Sequence, residues 1–536
     1  MRHIALLKEP MLQEPVESTN LALHKTYKIS VPPESDYPDL GGELTDGIYG
    51  TTDFMEASWQ GHSGKVDRKV IIDLETPSTI AAIKANFLED IGSSIFAPDM
   101  LGISVSIDGE NWSEVAVLDR LPACGSEAKL VSFHWSAAEH GVPDGAPVGS
   151  TIYARYVKIH AIVNVWLFMD EIEVWGVAGK QAGAVELMPG KDQGPETDYL
   201  RAGEATGGIR DLMLFYNGQY PNDAGNWSAA QFLPYVAYVD QQGAVQEWLF
   251  DGGVFLALYS DKMRSFMEDP GAEPSRMEDW QWYLNKTFYE QSGDAAQLNE
   301  AVKQAKAAIG EHGYKMKVVF MIPFPSSQQM EFGDVDGDGV SENFCDPQSG
   351  QAARERAIQW YISELNAKWE QAQYAHLELV GFYWLQEAAN PDDLALLDFT
   401  SNLTRSQGAK LFWIPYFNAA SYYKWNKLGI DAMAYQPNHY FNAGTTADRI
   451  EEAARMAKLA GSGIEIELDE RAFQQPALRQ KYIDYLQGTI AAGITPDVFK
   501  AYYQGVRTFY QAAYDADPRN RQLYDWIYDY VRGHLI

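Results

Sequence analysis

Three glutamates stand out because each one lies in or directly after a short apolar run typical of a buried β-strand. Glu387 follows the run at residues 379–384, and Glu465 and Glu467 lie in the run at residues 463–468. Two carboxyl groups can act as an acid and a nucleophile when an apolar setting keeps one protonated and the other stays ionised. This is the chemistry of glycoside hydrolysis. We predict Glu387 as the general acid/base and Glu467 as the nucleophile, with Glu465 orienting Glu467 or binding substrate.

Further polar and aromatic side chains lie at the predicted ends of similar strands. Carboxylates and amides suit sugar hydroxyls, and aromatic rings suit the flat faces of sugars, so we expect these residues to bind a carbohydrate substrate. They are Tyr216, Asn217, Asp251, Trp384, Tyr416, Asn418, Gln436, Asn438, His439, Glu465 and Tyr503. For Asp251, capping of a turn is an equally good interpretation.

A short acidic segment follows the third predicted strand. Oxygen-bearing side chains at alternate positions, with glycine at the sixth, are typical of the beginning of a calcium-binding loop. The predicted ligands are Asp334, Asp336, Asp338, the carbonyl of Val340, and Glu342. Cys345 stands where a complete loop would carry a bidentate glutamate. The segment predicts a structural calcium, with a solvated acidic turn as the alternative, and no cofactor is expected for catalysis.

Strands and helices alternate from about residue 208 to the end of the chain. The strands are predicted at residues 212–216, 245–250, 317–322, 379–384, 410–415, 432–435, 463–468 and 498–503, and helices at 294–312, 352–374, 446–459 and 476–492. Eight such alternations match a (β/α)₈ TIM barrel, in which the carboxyl ends of the strands form the active face. An open doubly wound sheet is the alternative, but the glycine-rich nucleotide fingerprint expected there is missing from the sequence.

Residues 1–178 have a different sequence pattern, in which short runs of alternating apolar and polar residues are bounded by turn residues. Examples are the runs at 69–74, 102–107 and 154–159. Because no convincing amphipathic helix interrupts them, we predict an all-β antiparallel sandwich. The domains are therefore predicted at 1–178 for the sandwich, 179–200 for a linker and 201–536 for the barrel.

The first domain resembles the discoidin-like, coagulation-factor type C family over roughly residues 17–178. The motifs that carry the resemblance are Thr19-Asn20-Leu21-Ala22 with Lys25, Leu44-Thr45-Asp46-Gly47, Ala57-Ser58-Trp59, Val70-Ile71-Ile72-Asp73-Leu74, Val105-Ser106-Ile107-Asp108-Gly109 with Asn111-Trp112, Ala154-Arg155-Tyr156-Val157-Lys158-Ile159, and Asp170-Glu171-Ile172-Glu173-Val174-Trp175-Gly176. The resemblance implies an eight-stranded jelly roll. It also implies a carbohydrate-binding module, and a purely architectural role remains open.

The second domain resembles the large clan of retaining-glycosidase barrels, whose acid/base ends strand four and whose nucleophile ends strand seven. Glu387 and Glu467 match those positions, whereas Gln386 stands where the clan commonly has asparagine. The domain also resembles an uncharacterised bacterial barrel family found beside discoidin-like modules, for which no activity is established. The resemblance to the glycosidase clan implies polysaccharide degradation with retention of configuration.

Composition limits the partners. The 74 acidic residues outnumber the 42 basic ones, for a net charge of −32. This balance argues against nucleic acid and anionic membranes, because both are bound through basic surfaces. No apolar run is long enough to span a membrane. The sequence carries no export signal as written, which predicts a cytoplasmic location, but a mature or trimmed extracellular or cell-surface form would look the same.

These observations favour a modular glycoside hydrolase acting on a polysaccharide or oligosaccharide. The alternative is a non-catalytic carbohydrate-binding or scaffold protein with a degenerate barrel. A lyase acting on uronic acids fits less well, since it would need a basic cleft. The sugar, the linkage, endo or exo action and the oligomeric state are left open.

Overall fold

The computed structural model describes residues 18–63, 67–98, 100–119, 127–141, 149–163, 165–188, 198–417 and 419–535. The chain divides into two compact units, Met1–Pro195 and Glu196–Ile536. No helix among the described residues has the length and apolar character needed to cross a membrane.

The first unit is a β-sandwich built on antiparallel strands. These are β1 (Thr19–Asn20), β2 (Tyr27–Ile29), β3 (Gln60–His62), β4 (Arg68–Glu89), β5 (Met100–Ser106), β6 (Ser113–Asp119), β7 (Lys129–Ser136), β8 (Ile152–Ala161) and β9 (Leu167–Ala178), with one short helix, α1 (Ala137–His140). The first half of the long strand β4 pairs with β8, and its second half pairs with β7 and β9. Its alternate residues, including Val70, Ile72 and Ile83, are buried in the core.

The predicted linker at 179–200 is partly paired with this first unit. Tyr153 donates its backbone N–H to Val185, and Val185 donates to Thr151. Leu187 packs against the apolar core, and the Ser113 hydroxyl donates to the carbonyl of Met188. The backbone up to residue 188 is therefore part of the sandwich, because its polar groups are satisfied there.

The second unit contains a closed barrel of eight parallel strands, compatible with the predicted TIM barrel. In barrel order the strands are β10 (Asp211–Tyr216), β13 (Gly252–Leu256), β14 (Met316–Ile322), β15 (Leu377–Trp384), β16 (Lys410–Trp413), β17 (Ala432–Tyr435), β18 (Gly463–Glu467) and β19 (Lys500–Tyr503). They are almost wholly buried, which explains their continuous apolar runs.

Helices lie between the barrel strands along the chain and after the last of them. They are α2 (Ala229–Val236), α3 (Met277–Phe288), α4 (Asp294–Ile309), α5 (Gly350–Ala372), α6 (Leu394–Ser406), α7 (Asp448–Ala460), α8 (Pro476–Ala491), α9 (Thr508–Tyr514) and α10 (Pro518–Arg532). Between β16 and β17 a 3₁₀ segment, Tyr422–Leu428, takes the place of an α-helix.

The predicted second barrel strand, 245–250, is wrong. Residues Val245–Trp248 form β12, which pairs antiparallel with β11 (Ala237–Val239) outside the barrel. The barrel strand begins later, at Gly252 and Gly253. A Cβ at these two positions would lie 2.6 Å from Ile209 and 2.4 Å from Phe215, so only glycine fits there.

This shift moves Asp251 to the opposite end of the barrel from the one predicted. Its carboxylate accepts hydrogen bonds from the backbone N–H groups of Arg210 and Asp211, where β13 begins. Asp211 in turn forms a buried ion pair with Lys500, at 3.2 Å. Asp251 thus belongs to the polar base of the barrel and is no substrate ligand.

Candidate functional site

A pocket of about 300 Å³ opens at the carboxyl ends of the barrel strands. Seven strands, or the loops that follow them, contribute its lining. The lining residues are Leu214, Tyr216, Leu258, Met267, Tyr383, Glu387, Ile414, Gln436, Asn438, Phe441, Glu465, Glu467 and Tyr503. Three carboxyl groups therefore converge on one small, largely apolar and aromatic space.

Glu467 ends strand β18 and is held firmly by hydrogen bonds. The Tyr485 hydroxyl, from helix α8, donates to its Oε2 atom, and the Tyr440 backbone N–H donates to the same atom at 3.3 Å. Asn438 Nδ2 lies 3.4 Å from Oε1. Burial raises the pKa of Glu467 to about 7, while the bond from Tyr485 acts to lower it. This carboxyl group is fixed in place by donors that favour its ionised form.

Glu387 lies just beyond β15 and has fewer hydrogen-bond partners than Glu467. Burial raises the pKa of Glu387 to about 7, and a hydrogen bond with the side chain of Gln436 opposes this rise. The side chain of the preceding residue, Gln386, does not line the pocket. Its Oε1 atom accepts a hydrogen bond from the backbone N–H of Glu268 at 3.0 Å. Glu387 can therefore hold a proton near neutral pH and release it to a bound molecule.

Glu465 lies two residues before Glu467 on β18, and both side chains point into the same pocket. Its side chain is only 2% exposed. Burial raises the pKa of Glu465 well above its ordinary value, and the charges of Glu467 and Glu387 raise it further. Like charges this close cannot all ionise together, so protons are shared within the cluster at neutral pH.

The segment after β17 contributes Gln436, Asn438 and Phe441 to the lining of the pocket. Asn438 adopts the left-handed region with φ of +48°, which is uncommon for any residue except glycine. Its Oδ1 atom accepts the Phe417 N–H at 2.6 Å, and its Nδ2 atom donates to Gln436 Oε1 at 3.1 Å. Strained backbone of this kind persists where surrounding contacts hold it, and here it aims an amide at Glu467.

The structure brings together many of the predicted site residues. Tyr216, Gln436, Asn438, Glu465 and Tyr503 line the pocket with Glu387 and Glu467. Tyr416 does not line the pocket and is 37% exposed. Burial raises the pKa of Tyr416, and the negative charge of Glu387 adds to this rise.

Three predictions within this set are wrong. Asn217 is fully buried and donates to Thr287 and Asp294. Trp384 packs outward against Phe324, with ring centroids 5.8 Å apart. His439 lies behind the pocket, where its ring contacts Thr445 and Asp484.

Each of these three side chains makes its contacts elsewhere in the protein, and none lines the pocket. Asn418, also predicted to bind substrate, lies outside the described residues.

Several pocket residues were not predicted. The predicted substrate-binding set includes Trp384 and not Tyr383, although both end the same strand, and the alternation of side chains along β15 brings Tyr383 into the pocket. Leu258 and Met267 lie after β13, and the misplaced second strand hid them. Phe441 lies in the loop after β17 and is 48% exposed, with its ring edge-on to Tyr503 at 5.3 Å.

The acidic segment forms part of the loop between β14 and α5. Ligand oxygens of Asp334, Asp336 and Asp338 all lie within 4.8 Å of one another, a spacing that suits a hard divalent cation. Glu342 is wrong as a ligand. Its carboxylate forms a two-point ion pair with Arg356 and is buried.

Calcium binding by the three aspartates stays a prediction. We expect calcium to raise the melting temperature of the protein, because an ion bound only by the folded state stabilises it by mass action. Differential scanning fluorimetry with calcium or with a chelator measures this effect. A variant carrying Asp334→Asn and Asp338→Asn should show no calcium response, and an unchanged response in that variant would contradict the assignment.

Comparison with known proteins gives one family match and several local likenesses. The local likenesses cover about 30% of the chain, in its N-terminal region. Chitosan-binding module 1 of a chitosanase/glucanase from Paenibacillus sp. IK-5 is 20% identical, covering 30% of this chain and 99% of that module, with a TM-score of 0.20. A fucose-binding module of Streptococcus pneumoniae is 18% identical, covering 30% of this chain and 96% of that one, with a TM-score of 0.22. A fucolectin from striped bass serum (Morone saxatilis) is 18% identical, covering 30% and 50% respectively, with a TM-score of 0.22.

No curated protein sequence matches the chain. A family model described as a domain of unknown function, DUF4855, matches residues 211–529, which span the whole barrel. Since this match covers more than half of the chain, the protein belongs to the DUF4855 family.

Proposed function

We propose that the barrel unit hydrolyses O-glycosidic bonds in a polysaccharide or oligosaccharide, with retention of configuration. The observation that carries the proposal is the pairing of Glu387 and Glu467 in one pocket with unlike surroundings. The carboxyl group of Glu387 has one hydrogen-bond partner, the side chain of Gln436. The carboxyl group of Glu467 accepts hydrogen bonds from three donors. Unlike surroundings of two carboxyl groups separate an acid from a nucleophile.

In the first step, the carboxylate of Glu467 attacks the anomeric carbon and forms a glycosyl ester. Glu387 transfers its proton to the glycosidic oxygen as that bond breaks, so the leaving group departs as a neutral alcohol. The Tyr485 hydroxyl and Tyr440 N–H keep the attacking carboxylate in one orientation.

In the second step, the ionised Glu387 removes a proton from water while the water oxygen attacks the anomeric carbon. The ester bond breaks, which frees the sugar and returns Glu467 to its carboxylate form. Glu387 regains its proton, so the pair ends in its starting state.

The rest of the pocket suits a polyhydroxylated ligand. In the described part of the chain, the hydroxyl groups of Tyr216, Tyr383 and Tyr503 have no hydrogen-bond partner, although all three line the pocket. Hydroxyl groups that line a pocket without a protein partner are available to the hydroxyl groups of a sugar. The exposed ring of Phe441 offers an apolar face at the rim.

A pH profile tests the proposal. The reaction needs Glu387 protonated and Glu467 ionised, and each pKa is raised to about 7. We expect kcat/KM to follow a narrow bell centred near neutral pH, falling at high pH as Glu387 loses its proton and at low pH as Glu467 gains one.

Tyr485→Phe should lower the maximum of this profile and extend its alkaline side. Loss of the donated bond raises the pKa of Glu467 by roughly one to two units, above that of Glu387, so the form with Glu387 protonated and Glu467 ionised becomes roughly 4- to 30-fold scarcer at its best pH. Tyr482→Phe is the matched control, since Tyr482 lies about one turn before Tyr485 on α8 and its hydroxyl donates to the carbonyl of Leu523, on α10. A profile of unchanged height and width in Tyr485→Phe would contradict the assignment of Glu467.

A further inference from the structure

Glu465 is unusual among the three pocket carboxyl groups because it has no hydrogen-bond partner among the described residues. Its side chain is 2% exposed and faces the pocket. Glu467, two residues away, receives three donors. A buried carboxyl group needs hydrogen-bond partners, and in this pocket either water or a bound ligand can supply them.

The charge of the pocket defines what that ligand group must be. None of the thirteen described lining residues is Lys, Arg or His. Two cations on neighbouring segments are engaged elsewhere. Arg471 pairs with Asp469 at 2.6 Å, and Lys481 donates to the carbonyl groups of His439 and Asn442. Among the described residues, therefore, no side-chain cation lines the pocket to balance the carboxyl cluster.

Aromatic rings add to this preference. Tyr216, Tyr383 and Tyr503 line the same space as Glu465, and the rings of Tyr216 and Tyr503 meet edge to face at 5.5 Å. Carboxylates together with aromatic faces attract an ammonium group, through direct ion pairing and through the negative faces of the rings. A carboxylate-bearing sugar would be repelled by the same groups.

We infer that the pocket accepts a sugar that carries a free, positively charged amino group, and that Glu465 binds this ammonium group. The inference rests on the proposed hydrolytic function and names its substrate class. An N-acetylated sugar of the same shape lacks the charge, so it would leave the Glu465 carboxyl group without an ionic partner.

The test uses matched pairs of oligosaccharides of equal length. One pair consists of glucosamine oligomers and their fully N-acetylated forms, and the other of galactosamine oligomers and their N-acetylated forms. Isothermal titration calorimetry gives Kd, and product release gives kcat/KM, for the full chain and for Glu465→Gln. Glu378→Gln is the control, because Glu378 is an exposed glutamate at the opposite end of β15.

The full chain should bind the free amine roughly 10- to 100-fold more tightly than its acetylated partner in at least one pair, a range expected for a charge-assisted hydrogen bond. Glu465→Gln should remove most of this preference, and Glu378→Gln should keep it. The inference is overturned if both pairs show equal or reversed affinity, if the full chain binds neither member of either pair, or if Glu465→Gln retains the preference.

Failure of the proposed hydrolysis gives a different result. Amine-selective binding that depends on Glu465, without release of product from either form, would contradict the hydrolytic function and leave the recognition of the ammonium group standing. Product release with equal rates on both forms of each pair would support hydrolysis and overturn the amine preference.

Discussion

Glu387→Gln is expected to slow hydrolysis of an unactivated oligosaccharide by ~10²–10⁴-fold, the usual contribution of a positioned general acid. Glutamine keeps the shape of the side chain but has no proton to transfer to the glycosidic oxygen. A dinitrophenyl glycoside of the same sugar needs no such proton, because its leaving group is already a weak base. Formation of the glycosyl ester from that substrate should therefore be much less affected.

Steady-state and pre-steady-state rates on the two substrates measure this difference. Glu378→Gln, which removes the same charge at the other end of the barrel, should behave as the unaltered protein. An equal loss on both substrates would show that Glu387 does not serve as the acid. Full activity of Glu387→Gln on the oligosaccharide would exclude any catalytic role.

Glu467→Gln is expected to abolish turnover on both kinds of substrate, with a loss of at least ~10³-fold, because an amide cannot form the glycosyl ester. The loss of activity in Glu467→Gln should not depend on the leaving group of the substrate. This independence distinguishes the nucleophile from the general acid. The fold should survive, since glutamine fits the same space and Tyr485 can still donate to the amide oxygen. Circular dichroism and thermal unfolding check this point.

Mass spectrometry identifies the nucleophile directly. Glu387→Gln treated with the dinitrophenyl glycoside should accumulate the glycosyl ester, because the variant lacks the base that activates water in the second step. After digestion, the added sugar mass should lie on Glu467. A label on Glu465, or a turnover of Glu467→Gln close to that of the unaltered protein, would contradict the assignment.

The barrel is largely predictable from sequence because buried parallel strands read as continuous apolar runs. Residues 317–322 and 432–435 illustrate this, since they lie within or coincide with β14 and β17. The second strand escaped prediction for a tertiary reason. Gly252 and Gly253 are poor strand formers, and only the close packing of Ile209 and Phe215 explains why glycine is required there.

The residues of the site can be predicted from the sequence only where the ends of the strands can be predicted. Glu387, Glu465 and Glu467 were found because acids are rare in apolar runs unless they have a role. The direction in which each side chain points is harder to predict, because neighbouring residues at a strand end point to opposite sides. Tyr216 and Tyr383 face the pocket, whereas their neighbours Asn217 and Trp384 pack outward.

Release of reducing ends from a panel of neutral, N-acetylated and free-amine polysaccharides is the measurement that tests the central claim most directly. It compares the unaltered protein with a variant carrying both Glu387→Gln and Glu467→Gln. The account predicts release from at least one polysaccharide by the unaltered protein, and none above background by the double variant. Equal release by both proteins, or no release from any member of the panel, would contradict it.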